Sequence, residues 1–241
     1  GIVAKPNHQI FMETRQIITI IFLSVKRKGD EVKFAMPEKC PICKSDVIRE
    51  AGEVAFRCID VDCPARLFRS IVHFASRDAM NIEGLGPALV EALMNNGFLK
   101  SITDLFYLHQ SKEGLEKMER MGKKSVENLL NSIQKSKANN IDRLIFGFGI
   151  RHIGLRAAQL LSENFNSIND LMNASVEDIM KIHEFGETMA QSLVLFLKLE
   201  KTHDMIAKLE AAEVNLVSTS KESIIDDRFK ELTFVLTGTL S

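Results

Sequence analysis

All four cysteines of this 241-residue chain lie in one short stretch, CPICKSDVIREAGEVAFRCIDVDCPAR, running from Cys40 to Arg66. The spacing is a C-x2-C pair, fourteen residues, then a C-x4-C pair. A C-x2-C turn brings two sulfurs to one point at the zinc–sulfur bonding distance of about 2.3 Å, and Pro41 stiffens that turn. The intervening KSDVIREAGEVAFR reads as two short strands around Ala51 and Gly52, a hairpin that returns Cys58 and Cys63 to Cys40 and Cys43. Large apolar residues are few here, mainly Val47, Ile48, Val54 and Phe56. A segment below about 40 residues rarely folds on a core alone, and metal binding supplies on the order of 10 kcal/mol in zinc-finger peptides. The stretch is therefore expected to fold around one structural zinc held by Cys40, Cys43, Cys58 and Cys63. A disulfide framework would need an oxidising compartment, and nothing in the sequence indicates secretion. A redox C-x2-C sits at a helix start and has no use for a second pair. Four thiolates close the tetrahedron, so a catalytic zinc is not expected and the six histidines are read as bystanders to the metal.

Composition sets wide bounds: 45% hydrophobic, 26% charged and a net charge of −1 suit a soluble chain of one large domain or a few small ones. The absence of Trp and the single Tyr argue against a surface rich in those residues. The most apolar window, IITIIFLSV from Ile17 to Val25, is nine residues long, whereas a membrane-spanning helix needs about 20. No signal peptide is evident, and a first residue of Gly1 rather than Met reads as a piece of a longer protein. The net charge hides an asymmetry. Residues 1–70 and 71–160 each carry 12 Lys or Arg against 9 Asp or Glu, while residues 161–241 carry 7 against 14. A basic-to-acidic gradient of this kind suggests a polyanion held by one part of the chain only.

Downstream of the cysteines the sequence turns helical and repetitive. Four segments align without gaps: LGPALVEALM from Leu85, MGKKSVENLL from Met121, IGLRAAQLLS from Ile153 and FGETMAQSLV from Phe185. Gly86, Gly122, Gly154 and Gly186 fall 36, 32 and 32 residues apart, a period that signals a repeated supersecondary unit. Tetratricopeptide repeats have a similar period, but their small-residue and aromatic pattern is missing, and these glycines precede helices. A glycine allows close backbone approach, and the first N–H groups of the following helix lack intrahelical acceptors. With the helix dipole they favour an anion. Four such openings read as helix-hairpin-helix units that hold nucleic-acid phosphates through main-chain amides, which gives affinity without sequence reading. NGFLKSITDL after the first unit resembles NFNSINDL after the third, so the four form two tandem pairs. Val90, Leu93, Val126, Leu129, Ala158, Leu161, Ala190 and Leu193 are expected to face a common core.

This combination resembles the C-terminal half of bacterial NAD-dependent DNA ligases. The resemblance rests on CPIC…RCIDVDCPAR, IEGLGPALVEAL, MERMGKKSVENLL and FGIRHIGLRAAQLL, and covers roughly residues 25–241. VKRKGDEV, Val25–Val32, looks like the end of the oligonucleotide-binding barrel, and ELTFVLTGTLS looks like the first strand and turn of a BRCT domain. The resemblance implies a mainly α chain: the end of a barrel or a short β remnant over residues 1–36, a four-cysteine zinc finger over 37–70, a four-unit helix-hairpin-helix domain over 71–218, and a linker with the start of a BRCT domain over 219–241. Such ligases charge a lysine in a Lys-x-Asp-Gly motif with AMP from NAD and seal nicks in duplex DNA during replication and repair. That motif is absent from this sequence. The resemblance thus implies a DNA-binding portion, inactive alone, whose NAD, Mg and adenylated lysine lie outside this chain. Its implied partners are nicked duplex DNA and the N-terminal adenylation domain of the parent, in the bacterial cytoplasm at the nucleoid, with no membrane.

The hairpins are expected to divide the labour. Lys123 and Lys124 flank the free amides at Gly122. Arg151, His152 and Arg156 surround Gly154. The first tip, with Gly84 and Gly86, offers backbone alone. The fourth sets Glu184 and Glu187 beside Gly186, where their carboxylates are expected to satisfy the amides a phosphate would use and leave this hairpin to packing. Two other classes remain open from sequence: a free-standing structure-specific DNA-binding module of a repair nuclease or junction-binding protein, and a protein-interaction scaffold.

Overall fold

The computed structural model describes residues 37–49, 55–60 and 63–219. The expected barrel end or β remnant and the BRCT-like segment beyond residue 219 lie outside these, as do Ala51 and Gly52. The chain divides at Pro64 into two compact units. Residues 65–70, grouped with the finger from sequence, therefore stand in the helical unit.

In the first unit, β1 (Val47–Arg49) pairs antiparallel with β2 (Phe56–Cys58), in the register Val47 to Cys58, Ile48 to Arg57 and Arg49 to Phe56. This is the expected hairpin, and it sets Cys58 back beside the knuckle. Among the described residues of this unit the apolar side chains build no core. Ile48 is 47% exposed and Phe56 38%, while the buried residues of this unit are Cys40 and Cys63.

The second unit is helical: α1 (Pro64–Ala75), α2 (Pro87–Asn95), a 3-10 segment (Thr103–Ser111) running into α3 (Lys112–Glu116), α4 (Lys123–Ser136), α5 (Ile141–Gly147), α6 (Leu155–Asn164), α7 (Ile168–Met172), α8 (Val176–Met180), α9 (Glu187–Leu197) and α10 (Glu200–Ala211). Among the described residues no helix is long and apolar enough to cross a membrane.

The repeat positions drive this arrangement. Val90, Leu93, Val126, Leu129, Ala158, Leu161, Ala190 and Leu193 are all exposed by 2% or less and join one continuous apolar cluster. Residues three apart lie on one helix face, so each pair turns α2, α4, α6 or α9 inward. The second-order repeat is present too. Leu105 and Leu171, at matching positions of SITDL and SINDL, are both buried. The first copy winds as a 3-10 segment and the second as α7.

Residues 214–219 then run back over the hairpins. The Asn215 N–H donates to the Lys137 carbonyl at 2.8 Å, the Ile168 N–H to the Leu216 carbonyl at 2.9 Å and the Thr219 N–H to the Asn140 side chain at 2.9 Å. Lys137 and Asn140 lie between the two hairpin pairs in sequence and Ile168 follows the third hairpin, so the segment ties the pairs together.

Candidate metal centre and nucleic-acid interface

The metal site is built by a tight knuckle and the β hairpin. The Cys40 N–H donates to the Ser45 carbonyl at 2.8 Å, and the Lys44 N–H to the Cys40 carbonyl at 3.0 Å, with Lys44 left-handed at φ 64°. That turn aims Cys40 and Cys43 at one point. The four sulfurs all lie within 4.8 Å of one another, with Cys40 to Cys63 at 3.9 Å and Cys43 to Cys58 at 3.3 Å. Zinc–sulfur bonds of about 2.3 Å in a tetrahedron place sulfurs about 3.8 Å apart, so the cluster fits the ion. The thiols differ in acidity. The backbone N–H of Cys43 draws Cys40 down to about 7. Burial, followed by the neighbouring Cys43 sulfur, pushes Cys58 up to about 12. Four thiolates this close repel one another, and a divalent cation removes that repulsion.

The hairpin tips share one backbone geometry. In each, an N–H closes a turn onto the carbonyl three residues back: Leu85 to Ile82, Met121 to Met118, Ile153 to Ile150 and Phe185 to Ile182, at 3.0–3.3 Å. The residue preceding each of these is left-handed: Gly84 at φ 83°, Arg120 at 64°, His152 at 65° and Glu184 at 75°. The apolar residue is buried and plugs the hairpin into the core. Gly86, Gly122, Gly154 and Gly186 then cap α2, α4, α6 and α9 with extended backbone, and none of these helices has a side-chain cap. Ser167 and Ser175, by contrast, cap α7 and α8 with their hydroxyls. The first amides of the hairpin helices thus have no side-chain acceptor at the cap among the described residues.

Among the described residues nothing explains the four capping glycines. Their φ values run from −78° to −91°, which any residue adopts. A Cβ added to any of them would meet nothing within 4 Å. Their missing side chains leave room outside the molecule.

The charged residues fall around these tips. Lys123 and Lys124 are exposed and make no ion pair or hydrogen bond among the described residues. Arg151 and His152 are exposed on the third tip, where the Ser192 hydroxyl donates to the Arg151 carbonyl at 2.8 Å. On the first tip the Glu83 N–H donates to the Ser132 hydroxyl of α4 at 2.6 Å. These bonds join hairpin one to two and hairpin three to four.

The fourth tip corrects one expectation. Neither Glu184 nor Glu187 caps α9. The Glu184 carboxylate, carried outward by its left-handed backbone, meets Arg156 of the third hairpin at 3.6 Å, and Glu187 accepts from the Gln191 side chain at 2.9 Å. Two further described histidines lie apart from the sulfur cluster. The His73 ring sits 2.8 Å from the Phe146 carbonyl and edge-on to its ring, and His183 is 93% exposed beside Glu184.

Sequence reasoning missed the left-handed position, and with it Arg120. The signal was present in Gly84-Leu85-Gly86, whose first glycine aligns with Arg120, His152 and Glu184.

Comparison with known proteins agrees with this geometry. Residues 39–65 match the NAD-dependent DNA ligase C4 zinc finger domain, residues 76–135 the SAM-like helix-hairpin-helix tandem, and residues 143–206 the helix-hairpin-helix motif. The chain is 63% identical over 225 residues to a DNA ligase of Acetivibrio thermocellus, covering 93% of this chain and 34% of that protein. It is 46% identical over 226 residues to a DNA ligase of Caldicellulosiruptor bescii, with 94% and 33% covered, and 43% identical over 226 residues to one of Clostridioides difficile, with 93% and 33% covered. The chain thus spans about a third of the length of the curated relatives it matches.

Proposed function

We propose that this chain, which matches the NAD-dependent DNA ligase C4 zinc finger domain and two helix-hairpin-helix models, is the part of such a ligase that grips the DNA backbone. One observation carries the reading. Four glycines in register leave open space beside uncapped helix N-termini, although neither their φ values nor internal packing requires glycine. A phosphate oxygen needs both features: close approach to the backbone and N–H groups without internal acceptors. Contacts of this type do not read bases, so the grip is independent of sequence.

The hairpins contribute unequally. Hairpins two and three add Lys123, Lys124, Arg151, His152 and Arg156 to their amides, and hairpin one acts through the backbone around Gly84 and Gly86; hairpin four has the same open amides, but the Glu184 and Glu187 carboxylates at its tip repel a phosphate and leave it to packing. The zinc finger is structural: four thiolates leave the metal no open position for a substrate. The parent enzyme would seal nicks in duplex DNA, with the adenylated lysine, NAD and Mg on its N-terminal adenylation domain, in the cytoplasm.

The test is substitution of glycines whose Cβ has room. Gly122→Ala and Gly154→Ala should fold normally and bind nicked duplex several-fold more weakly, while Gly186→Ala should bind as the unaltered protein does. Equal binding by all three folded variants would overturn the reading.

A further inference from the structure

We infer that Arg120 is a phosphate-binding residue of the second hairpin, placed at the tip by a backbone conformation that its own side chain disfavours. The inference rests on the reading of the hairpins as backbone grips and adds to it a residue outside the glycine–lysine pattern.

The four tips share one turn, and the first has the relaxed residue, Gly84, at the left-handed position. A Cβ added there meets nothing within 4 Å. By the equivalence of the turns, a side chain at this position starts in open space at the tip, from which a long one reaches a neighbouring hairpin, as Glu184 does, or whatever docks on the tip. Three hairpins nonetheless carry a side chain there, against the steric preference of L residues for negative φ. Their charges differ: Arg120 is cationic, His152 titratable and Glu184 anionic.

Glu184 has an internal partner that accounts for its position, because it reaches Arg156 across the hairpin pair. Among the described residues Arg120 has none of that kind. Its side chain is 91% exposed, and its ion pair is with the adjacent Glu119, whose side chain is 89% exposed, at 3.6 Å. Such a solvated pair anchors no other element of the fold and contributes little to stability. Among the described residues, then, no internal contact accounts for the left-handed backbone of Arg120. What it does gain is position. It stands two residues before Gly122, with Lys123 and Lys124 immediately after, so three cations bracket the uncapped amides of α4. A guanidinium there presents several N–H donors to phosphate oxygens at once.

The strained backbone makes the test clean. Arg120→Gly relaxes the left-handed turn, so the variant should melt at or above the temperature of the unaltered protein. It should nevertheless bind nicked duplex several-fold more weakly, with a log-affinity against log-salt slope flatter by about 0.9. Arg120→Gln, which keeps a long side chain without charge, should weaken binding similarly, and Arg120→Lys should retain most of it. Unchanged affinity and slope in both the Gly and Gln variants would overturn the inference. Lys123→Ala with Lys124→Ala, measured alongside, separates the two levels. If that pair also leaves the slope unchanged, the reading of the hairpins fails. If only the Arg120 variants do, this inference alone fails.

Discussion

Arg156 of the third hairpin and Glu184 of the fourth form an ion pair at 3.6 Å, the carboxylate lying where a phosphate on the third tip would compete for the same guanidinium. Both side chains are about half exposed, so the pair contributes little to stability, about 0–1 kcal/mol. Glu184→Ala should leave the melting temperature within a few degrees and should leave DNA binding unchanged or raise it by freeing Arg156. Binding titrations of the variant check this, and a loss of affinity as large as that of Arg151→Ala with Arg156→Ala would contradict it.

The finger is expected to depend on its metal because Ile48 and Phe56 stand exposed and its described residues bury only Cys40 and Cys63. One zinc per chain should appear in elemental analysis of reduced, chelator-free protein, and a stoichiometry near zero would contradict the site. Cys58→Ser should release the ion and unfold the finger. The helical unit has its own continuous core, so far-ultraviolet circular dichroism should keep most of its helical signal.

Incubated with NAD and nicked duplex, this chain alone should form no AMP–lysine adduct and seal nothing, because Lys-x-Asp-Gly is absent. Gel detection of labelled adduct checks this. Any adduct on this chain would place adenylation chemistry where the account has none.

The helix α8 carries a pH-dependent contribution. The Ser175 hydroxyl accepts from the Asp178 N–H, and the Asp178 carboxylate accepts from the Ser175 N–H, a reciprocal capping box. The Lys181 ammonium, at 2.7 Å, and then the Ser175 hydrogen bonds lower the Asp178 carboxyl from 3.8 to about 2. Depression below the unfolded value means that this contribution is present above about pH 4 and is lost as pH falls toward 2. Asp178→Asn should therefore lower thermal stability at pH 7, and the gap to the unaltered protein should narrow over that window. A gap independent of pH would contradict the sign. Ser175→Ala should cost about 1 kcal/mol at pH 7.

Much of this was legible in the sequence because it is written in residue type and spacing. Cysteine spacing places the metal ligands, and the eight repeat positions predicted inward are buried. The charged tips were less legible. Glutamates near a helix start suggested capping, yet Glu184 takes a left-handed backbone and pairs with Arg156, and φ at a non-glycine residue has no clear mark in a single sequence. Arg120 was missed for the same reason. The bonds from residues 214–219 to Lys137, Asn140 and Ile168 join positions far apart in sequence, which local patterning does not report.

The central claim is that backbone phosphates dock on hairpins two and three. It is tested most directly by the salt dependence of nicked-duplex binding for three charge-pair variants. Lys123→Ala with Lys124→Ala, and separately Arg151→Ala with Arg156→Ala, should weaken binding and flatten the log–log slope by about 0.9 for each phosphate no longer neutralised. Glu184→Ala with Glu187→Ala should leave affinity equal or higher and the slope no flatter. If the glutamate pair proves as damaging as the basic pairs while the fold stays intact, or if all three variants share the unaltered slope, the account is wrong.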